Sequence, residues 1–244
     1  MKLIKLTALL LFTISIIIFL VIIAKRWMDS SPLFVIRNTE VKGNELVTEK
    51  SIVSLIDINS NMRIFNIDKN NIKDKITTNP FVKEVSIKRI FPSTISIKIR
   101  EKTPLAFVIS KKNYILSEMG ELLPMPEQIR VYDIPTITGI KNIEARVKNN
   151  EIIEELKISS EVLNLLKKVE ISLYYDISEI NFENSALMIF YLYEKAIPVF
   201  LNKTDLYRKF YYFSQFLEYA KFEKLLENIK YINLCYKDQI IMKE

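Results

Sequence analysis

The chain of 244 residues is 49% hydrophobic and 26% charged, which is enough for one or two domains with a packed core. It holds no histidine, one cysteine and three glycines, which excludes the commonest general base and metal ligand, an intrachain disulfide and a glycine-rich phosphate loop. The formal net charge is +6, but four basic residues flank an apolar run and the other 31 are interspersed with 29 acidic residues, a pattern not typical of nucleic-acid binding.

An uncharged run from Leu6 to Ala24 predicts a transmembrane helix. As a helix its 19 residues would extend roughly 28 Å, close to the thickness of the bilayer hydrocarbon. The alternative is a cleaved signal peptide, whose apolar stretch would be about 7–15 residues long and followed by small residues at a cleavage site. A lysine, an arginine and a tryptophan follow here instead. We therefore expect an uncleaved anchor, with residues 1–5 as a short cytoplasmic tail and the rest of the chain exported.

The next segment predicts a strand and two short helices. A strand pattern covers residues 34–41 and stops at Gly43-Asn44, a dipeptide suited to positive φ. Thr48 and Asp68 are predicted N-caps, because each precedes apolar residues at helical spacing. The second helix is expected to end at Asn79-Pro80, since the residue before a proline disfavours helical backbone.

A β-hairpin is predicted to follow these helices. Apolar and polar residues alternate on both sides of Pro92, which cannot donate a ladder hydrogen bond and therefore belongs to the connection. The alternation places five apolar residues on the face that is expected to be buried, called the dry face below: Val85, Ile87, Ile95, Ile97 and Ile99. The predicted order is strand, helix, helix, strand, strand.

The remaining residues predict a second region rich in strands. Strands are expected near residues 107–109, 114–116, 120–123, 180–182, 187–193 and 197–201. One helix is expected to begin at Ser159 or Ser160 as its N-cap. Another carries an apolar stripe, interpreted as core, at Leu206, Phe210, Phe213, Leu217 and Ala220. Cys235 lies in an apolar stretch and is expected to be buried.

Candidate catalytic groups are few. Adjacent carboxylates such as Glu154 and Glu155 lie on a predicted helix, where solvation is their ordinary role. Serine–lysine or two-carboxylate catalysis needs no histidine, so an anchored cell-wall enzyme stays open as one alternative. No motif in the chain indicates such chemistry, and we predict a protein without enzymatic activity, cofactor or metal.

Three stretches resemble the POTRA domain of the FtsQ/DivIB cell-division family: "VKGNELVTEKSIVSLI", "RIFNID" and "NPFVKEVSIKRIFPSTISIKIREKTPLA". The matching positions of the last stretch are Pro80, Val82, Val85, Ile87, Arg89, Pro92, Thr94, Ile97, Ile99, Glu101, Pro104 and Ala106. Ile95 stands where the family usually has leucine. The final residues, "YINLCYKDQIIMKE", resemble the end of the family's second, β domain. Tyr236 matches there, whereas the family's aspartate, arginine and glycine are replaced by Asn233, Cys235 and Gln239.

The resemblance implies an α+β fold class with three parts. These are a single N-terminal transmembrane helix at 6–24, a POTRA domain (β-α-α-β-β) at 33–103, and a mixed β-rich domain with flanking helices at 104–244. It also implies a bitopic scaffold of the bacterial division machinery in the cytoplasmic (inner) membrane. The N-terminus would lie inside, the C-terminal domain outside, and the protein would be enriched at the division septum.

The implied partners are an FtsB/DivIC-like and FtsL-like pair and, through it, the septal peptidoglycan synthase, with no nucleic acid and no small-molecule substrate. The resemblance places the partner site at the last strand, an edge to which a partner strand would be added. The expected partner-binding residues are Tyr236, Asp238, Ile240 and Met242. No arginine contact is carried over to Cys235. POTRA domains also occur in secretion and outer-membrane assembly proteins, so an adaptor of that kind is the alternative function.

Overall fold

The structure is a computed structural model that describes residues 2–56, 61–126, 132–183 and 187–244. The chain divides into two compact units, Met1–Glu101 and Lys102–Glu244, called the first and second unit below. The α+β fold class is confirmed, because an apolar helix precedes a β-α-α-β-β region and then a β-rich region.

The first helix, α1 (Lys2–Ser30), contains the predicted apolar run. Within the part of the chain that the structure describes, one helical segment, Leu9–Ser30, is long and apolar enough to cross a membrane. Its large apolar side chains from Leu9 to Ile23 are exposed. A continuous apolar surface of this kind is stable in lipid rather than in water.

The first unit continues with β1 (Asn38–Lys42), α2 (Glu49–Ser54), α3 (Lys69–Thr77), β2 (Val82–Ile90) and β3 (Thr94–Glu101). Both predicted N-caps are confirmed: the Thr48 side chain accepts a hydrogen bond from the Ser51 N–H, and Asp68 accepts two from the start of α3. The strand expected from residue 34 was placed too early. Pro32 opens a 3-10 turn (Pro32–Phe34), because its fixed φ suits the first helical position, and β1 begins only at Asn38.

The three strands form one sheet in the order β1-β3-β2, with β1 parallel and β2 antiparallel to β3. The predicted dry face is confirmed for Val85, Ile95, Ile97 and Ile99, which are buried, whereas Ile87 is half-buried. Ile52 of α2 and Ile76 of α3 are fully buried as well. The hairpin therefore packs its apolar face against both helices and leaves the other face to solvent.

The side chain of Glu101, at the end of β3, holds the turn that follows β1. Its two carboxylate oxygens accept backbone hydrogen bonds from Glu45 at 2.9 Å, Leu46 at 2.7 Å and Val47 at 2.9 Å. Gly43 opens this turn at φ +81°, and a Cβ there would lie 2.2 Å from the Ile99 carbonyl oxygen. The turn thus requires glycine at its start and a carboxylate beneath its amides.

The second unit begins with β4 (Pro104–Val108), β5 (Tyr114–Ser117), β6 (Leu122–Pro124), β7 (Thr136–Thr138), α4 (Ile143–Lys148), α5 (Glu154–Val169) and α6 (Ile171–Asp176). It continues with β8 (Ile177–Asn181), β9 (Met188–Leu192), β10 (Pro198–Leu201), α7 (Leu206–Phe222), β11 (Tyr231–Asn233) and β12 (Ile241–Lys243). Among the residues that the structure describes, these strands form a nine-stranded sheet in the order β12-β11-β10-β9-β8-β7-β4-β5-β6.

Helices α5 and α7 supply apolar residues to the core of this sheet. The predicted stripe of α7 is confirmed at Phe210, Phe213, Leu217 and Ala220, which are all buried. The predicted cap at Ser159 or Ser160 is wrong, because α5 begins five residues earlier, at Glu154. Both serines are buried inside the helix, where their hydroxyls donate to carbonyl oxygens one turn back.

Two polar contacts connect helices of the second unit to their neighbours, α6 to β4 and α4 to α5. The buried Tyr174 hydroxyl donates to the Leu105 carbonyl oxygen at 2.9 Å, and burial raises the pKa of Tyr174 far above its ordinary value. Arg146 of α4 makes two 3.0 Å hydrogen bonds to the Glu155 carboxylate, and they hold the pKa of that carboxyl below its ordinary value. Glu155 is therefore partnered rather than merely solvated.

Candidate protein-interaction edge

Strand β12 forms one end of the nine-stranded sheet. It pairs antiparallel with β11, so that Ile241 lies opposite Asn233 and Met242 opposite Ile232. Among the described residues no strand pairs with its other side, and all three of its residues are exposed. Such an edge presents unpaired backbone N–H and C=O groups on which a further strand can be added.

The segment between β11 and β12, residues 234–240, is tied to the loop before α7 and to α7 itself. Arg208 of α7 forms an ion pair with Asp238, which adopts a left-handed backbone conformation at φ 58°. The Asn202 side chain donates to the Cys235 carbonyl oxygen at 2.8 Å. The Cys235 N–H in turn donates to the Asn233 side chain at 2.8 Å. These contacts give the segment a defined conformation beside the open edge.

A cavity of about 310 Å³ lies between segment 234–240 and the first turns of α7. Its wall combines the cations of Arg208 and Lys209 with the apolar side chain of Leu234. Burial lowers the pKa of Lys209 and raises the pKa of the Cys235 thiol, although the Lys209 charge opposes the second effect. Cys235 therefore stays an uncharged thiol near neutral pH. The prediction that Cys235 is buried is only partly right, because the residue is half-buried.

The four predicted partner-binding residues fall into different environments. Tyr236 lies in the segment before β12, and 54% of its surface is exposed. Met242 lies on β12 and is exposed. Ile240 is half-buried and packs against the core of the second unit. The Asp238 carboxylate already binds Arg208. The fold thus leaves Tyr236 and Met242 accessible, while Asp238 and Ile240 also hold the edge in place.

Sequence reasoning did not find the side chains that shape this segment. Arg208 and Asn202 lie about thirty residues before their partners, and no local pattern links them. Left-handed backbone at Asp238 carries a weak signal, because aspartate tolerates that conformation better than most residues. Within the described ranges, no group of three or more histidine, cysteine, aspartate or glutamate side chains is placed to hold a metal ion.

The described residues thus combine an N-terminal helix that is long and apolar enough to cross a membrane, a β-α-α-β-β unit and a β-rich unit with an open edge. Residues 34–102 match the family model of the POTRA domain of the FtsQ type. The chain is 30% identical over 158 residues to the cell division protein DivIB of Clostridium tetani. It is also 25% identical over 205 residues to the cell division protein FtsQ of Geobacter sp. strain M21. The resemblance to the FtsQ/DivIB cell-division proteins is thereby confirmed.

The coverage of these matches differs between the relatives. The DivIB match covers 63% of this chain and 58% of the relative, and the FtsQ match covers 84% and 74%. A solved structure, the major extracytoplasmic domain of DivIB from Geobacillus stearothermophilus, matches 51% of this chain and 96% of that chain. Its sequence identity is 18% and its TM-score is 0.34.

Proposed function

We propose that this protein is a non-enzymatic, bitopic scaffold of the bacterial cell-division machinery. Its similarity to proteins named FtsQ and DivIB supports a role in division. In this proposal the anchor is residues 6–24, the POTRA domain is residues 33–103 and the β domain is residues 104–244. The scaffold binds an FtsB/DivIC-like and FtsL-like pair at the septum and so helps to control septal peptidoglycan synthesis.

The open edge of β12 is the observation that carries the partner-binding part of the proposal. A strand of the FtsB/DivIC-like partner would pair with the free side of β12, and main-chain hydrogen bonds would supply much of the affinity. The strand is only three residues long, so contacts outside it must add to the pairing. Tyr236 supports this arrangement, because its ring is large, exposed and close in sequence to the edge.

Binding to the extracytoplasmic segment of the FtsB/DivIC-like partner tests this site. Tyr236→Ala should raise the Kd about 30-fold, the equivalent of roughly 2 kcal/mol for a central aromatic contact. Tyr193→Ala is the matched control, since Tyr193 is an exposed tyrosine in the turn between β9 and β10. Deletion of residues 239–244 removes β12 and should abolish binding, with circular dichroism as the check on folding.

Asp238 needs a separate comparison, because its carboxylate binds Arg208. If Asp238 acts by holding the segment, Asp238→Ala and Arg208→Ala should weaken binding by similar factors. If Asp238 contacts the partner directly, only its own substitution should do so. Intact binding by both Tyr236→Ala and the 239–244 deletion would place the site elsewhere on the protein.

The proposed topology has the N-terminus inside the cell and residues 29–244 outside the cytoplasm. An export-dependent reporter fused after Lys112 should be active and should remain in the membrane fraction. Release of the active fusion in soluble form would contradict the anchor, and an inactive but stable fusion would contradict the orientation.

A further inference from the structure

Four aromatic rings join the end of α1 to the tip of the β2–β3 hairpin, residues Ile90 and Phe91. Trp27 of α1 meets Phe34 edge-on, with ring centroids 5.8 Å apart. Phe65 follows, 5.0 Å from Phe34 and 5.3 Å from Phe91. The hairpin tip is therefore only three ring contacts away from the last turns of the membrane-spanning helix.

Backbone contacts place the hairpin at this position as well. The chain leaving α1 passes between residues 61–63 and the hairpin connection, where the Ile36 N–H donates to Met62 and the Arg37 N–H donates to Ser93 at 2.9 Å. On the hairpin, the Arg89 guanidinium donates to the carbonyl oxygens of Phe65 at 3.2 Å and Ile67 at 2.8 Å. The tip is thus held against the segment that follows α1.

These rings do not form a closed core. Trp27 and Phe91 each expose 58% of their surface, and Leu33 and Ile90 are nearly half exposed, whereas the core residues of the same sheet are buried. Together they make an apolar surface, called the interface patch, that consists of Trp27, Leu33, Phe34, Phe65, Ile90 and Phe91. An exposed apolar surface of this kind marks a site of interaction.

Basic residues surround the interface patch. Lys25 and Arg26 precede Trp27 on α1, Arg37 lies beside the hairpin connection, and Lys88 lies two residues before the tip; all four are exposed. Asp29 offsets one of these charges. Aromatic side chains surrounded by cations are typical of protein surfaces that lie in the headgroup region of an anionic bilayer.

We propose that the interface patch inserts into the headgroup region of the bilayer that α1 crosses, so that the hairpin tip rests on lipid. Lipid is the occupant that the structure favours, because the patch is continuous with the helix that enters the bilayer. Residues 34–102, which match the POTRA family model, would then have a restricted orientation on the membrane instead of turning freely on a linker. Insertion of the interface patch depends neither on the division role nor on which side of the membrane the first unit occupies.

Tryptophan fluorescence of the full chain in nanodiscs tests the proposal, because Trp27 is the only tryptophan. In a Trp27→Phe background, which keeps a ring at that position, Phe91→Trp reports on the tip. Glu84→Trp is the control, since Glu84 is exposed and lies about 20 Å along β2 from the tip. The discs contain phosphatidylglycerol and phosphatidylcholine whose acyl chains are brominated close to the headgroup. Ile90→Trp is a second reporter should Phe91→Trp perturb the fold.

Emission from a tryptophan at position 91 or 90 should be blue-shifted and strongly quenched by the brominated lipid, whereas emission from position 84 should be red-shifted and unquenched. Aqueous, unquenched emission at both tip positions would overturn it and would leave the patch as a protein-docking surface. Equal quenching at positions 84 and 91 would also overturn it, because the whole sheet would then lie on the bilayer.

Discussion

Substituting Glu101 by glutamine should destabilise the first unit strongly, although the change removes only one charge. The Glu101 carboxylate accepts three backbone N–H groups from residues 45–47 at 2.7–2.9 Å. A glutamine side chain keeps one acceptor oxygen and turns an NH₂ group towards at least one of these donors. A lost charge-assisted hydrogen bond with a donor left unsatisfied costs about 2–3 kcal/mol.

Hydrogen exchange measured by mass spectrometry on residues 31–244 can determine how much stability the first unit loses in Glu101→Gln. Amides of β2 and β3 should exchange roughly 30- to 150-fold faster in Glu101→Gln if exchange proceeds through opening of the sheet. Glu84→Gln is the matched control on the same hairpin, because the Glu84 carboxylate forms an exposed 3.0 Å ion pair with Arg100, and such a pair is worth less than about 1 kcal/mol. Exchange rates that agree within a factor of about two between the two variants would refute this account of the turn.

Three further substitutions test the remaining fold. Ile97→Asp should unfold the first unit, because it buries an unpaired charge at a cost of several kcal/mol. Lys98→Asp, on the other face of the same strand, should leave the melting temperature nearly unchanged. Equal melting temperatures for the two variants would contradict the strand register. Tyr174→Phe should cost about 1 kcal/mol in urea unfolding and exposed Tyr175→Phe almost nothing, and equal losses would contradict the buried hydrogen bond. Because the pKa of Glu155 is lowered in the folded state, the stabilisation that its carboxylate provides is present above its ordinary pKa and is lost as the pH falls through the folded value. Glu155→Gln should therefore be less stable than wild type at pH 7 and should approach the stability of wild type in acid. A difference in stability that does not change with pH would contradict the ion pair.

Local features of the fold could be predicted where one short segment carries the whole signal. Thr48 and Asp68 cap helices through bonds to residues two or three positions away, and the dry face of β3 follows from period-2 alternation. The cap at Ser159 or Ser160 was a wrong prediction because serine also fits inside a helix by donating to a carbonyl one turn back. Residue type alone does not distinguish the two roles.

The candidate edge was predictable in position but not in construction. The resemblance of the C-terminal residues pointed to an edge, and β12 lies at one end of the sheet. Strands as short as β11 and β12 show too few residues for a periodic pattern. The tie between Arg208 and Asp238 depends on tertiary placement of α7, so the sequence could not indicate that Asp238 already has a partner.

The strand order β1-β3-β2 has a consequence for how the first unit is made on the ribosome. Among the described strands β1 pairs only with β3, Asn38 opposite Thr94, so about 55 further residues must be synthesised before the partner strand of β1 begins. At ordinary elongation rates this interval is about 3–10 s. The β2–β3 hairpin, by contrast, closes locally as soon as it emerges. During this interval α1 is already available to enter the bilayer. Its insertion would keep the unpaired β1 close to the membrane and away from other nascent chains.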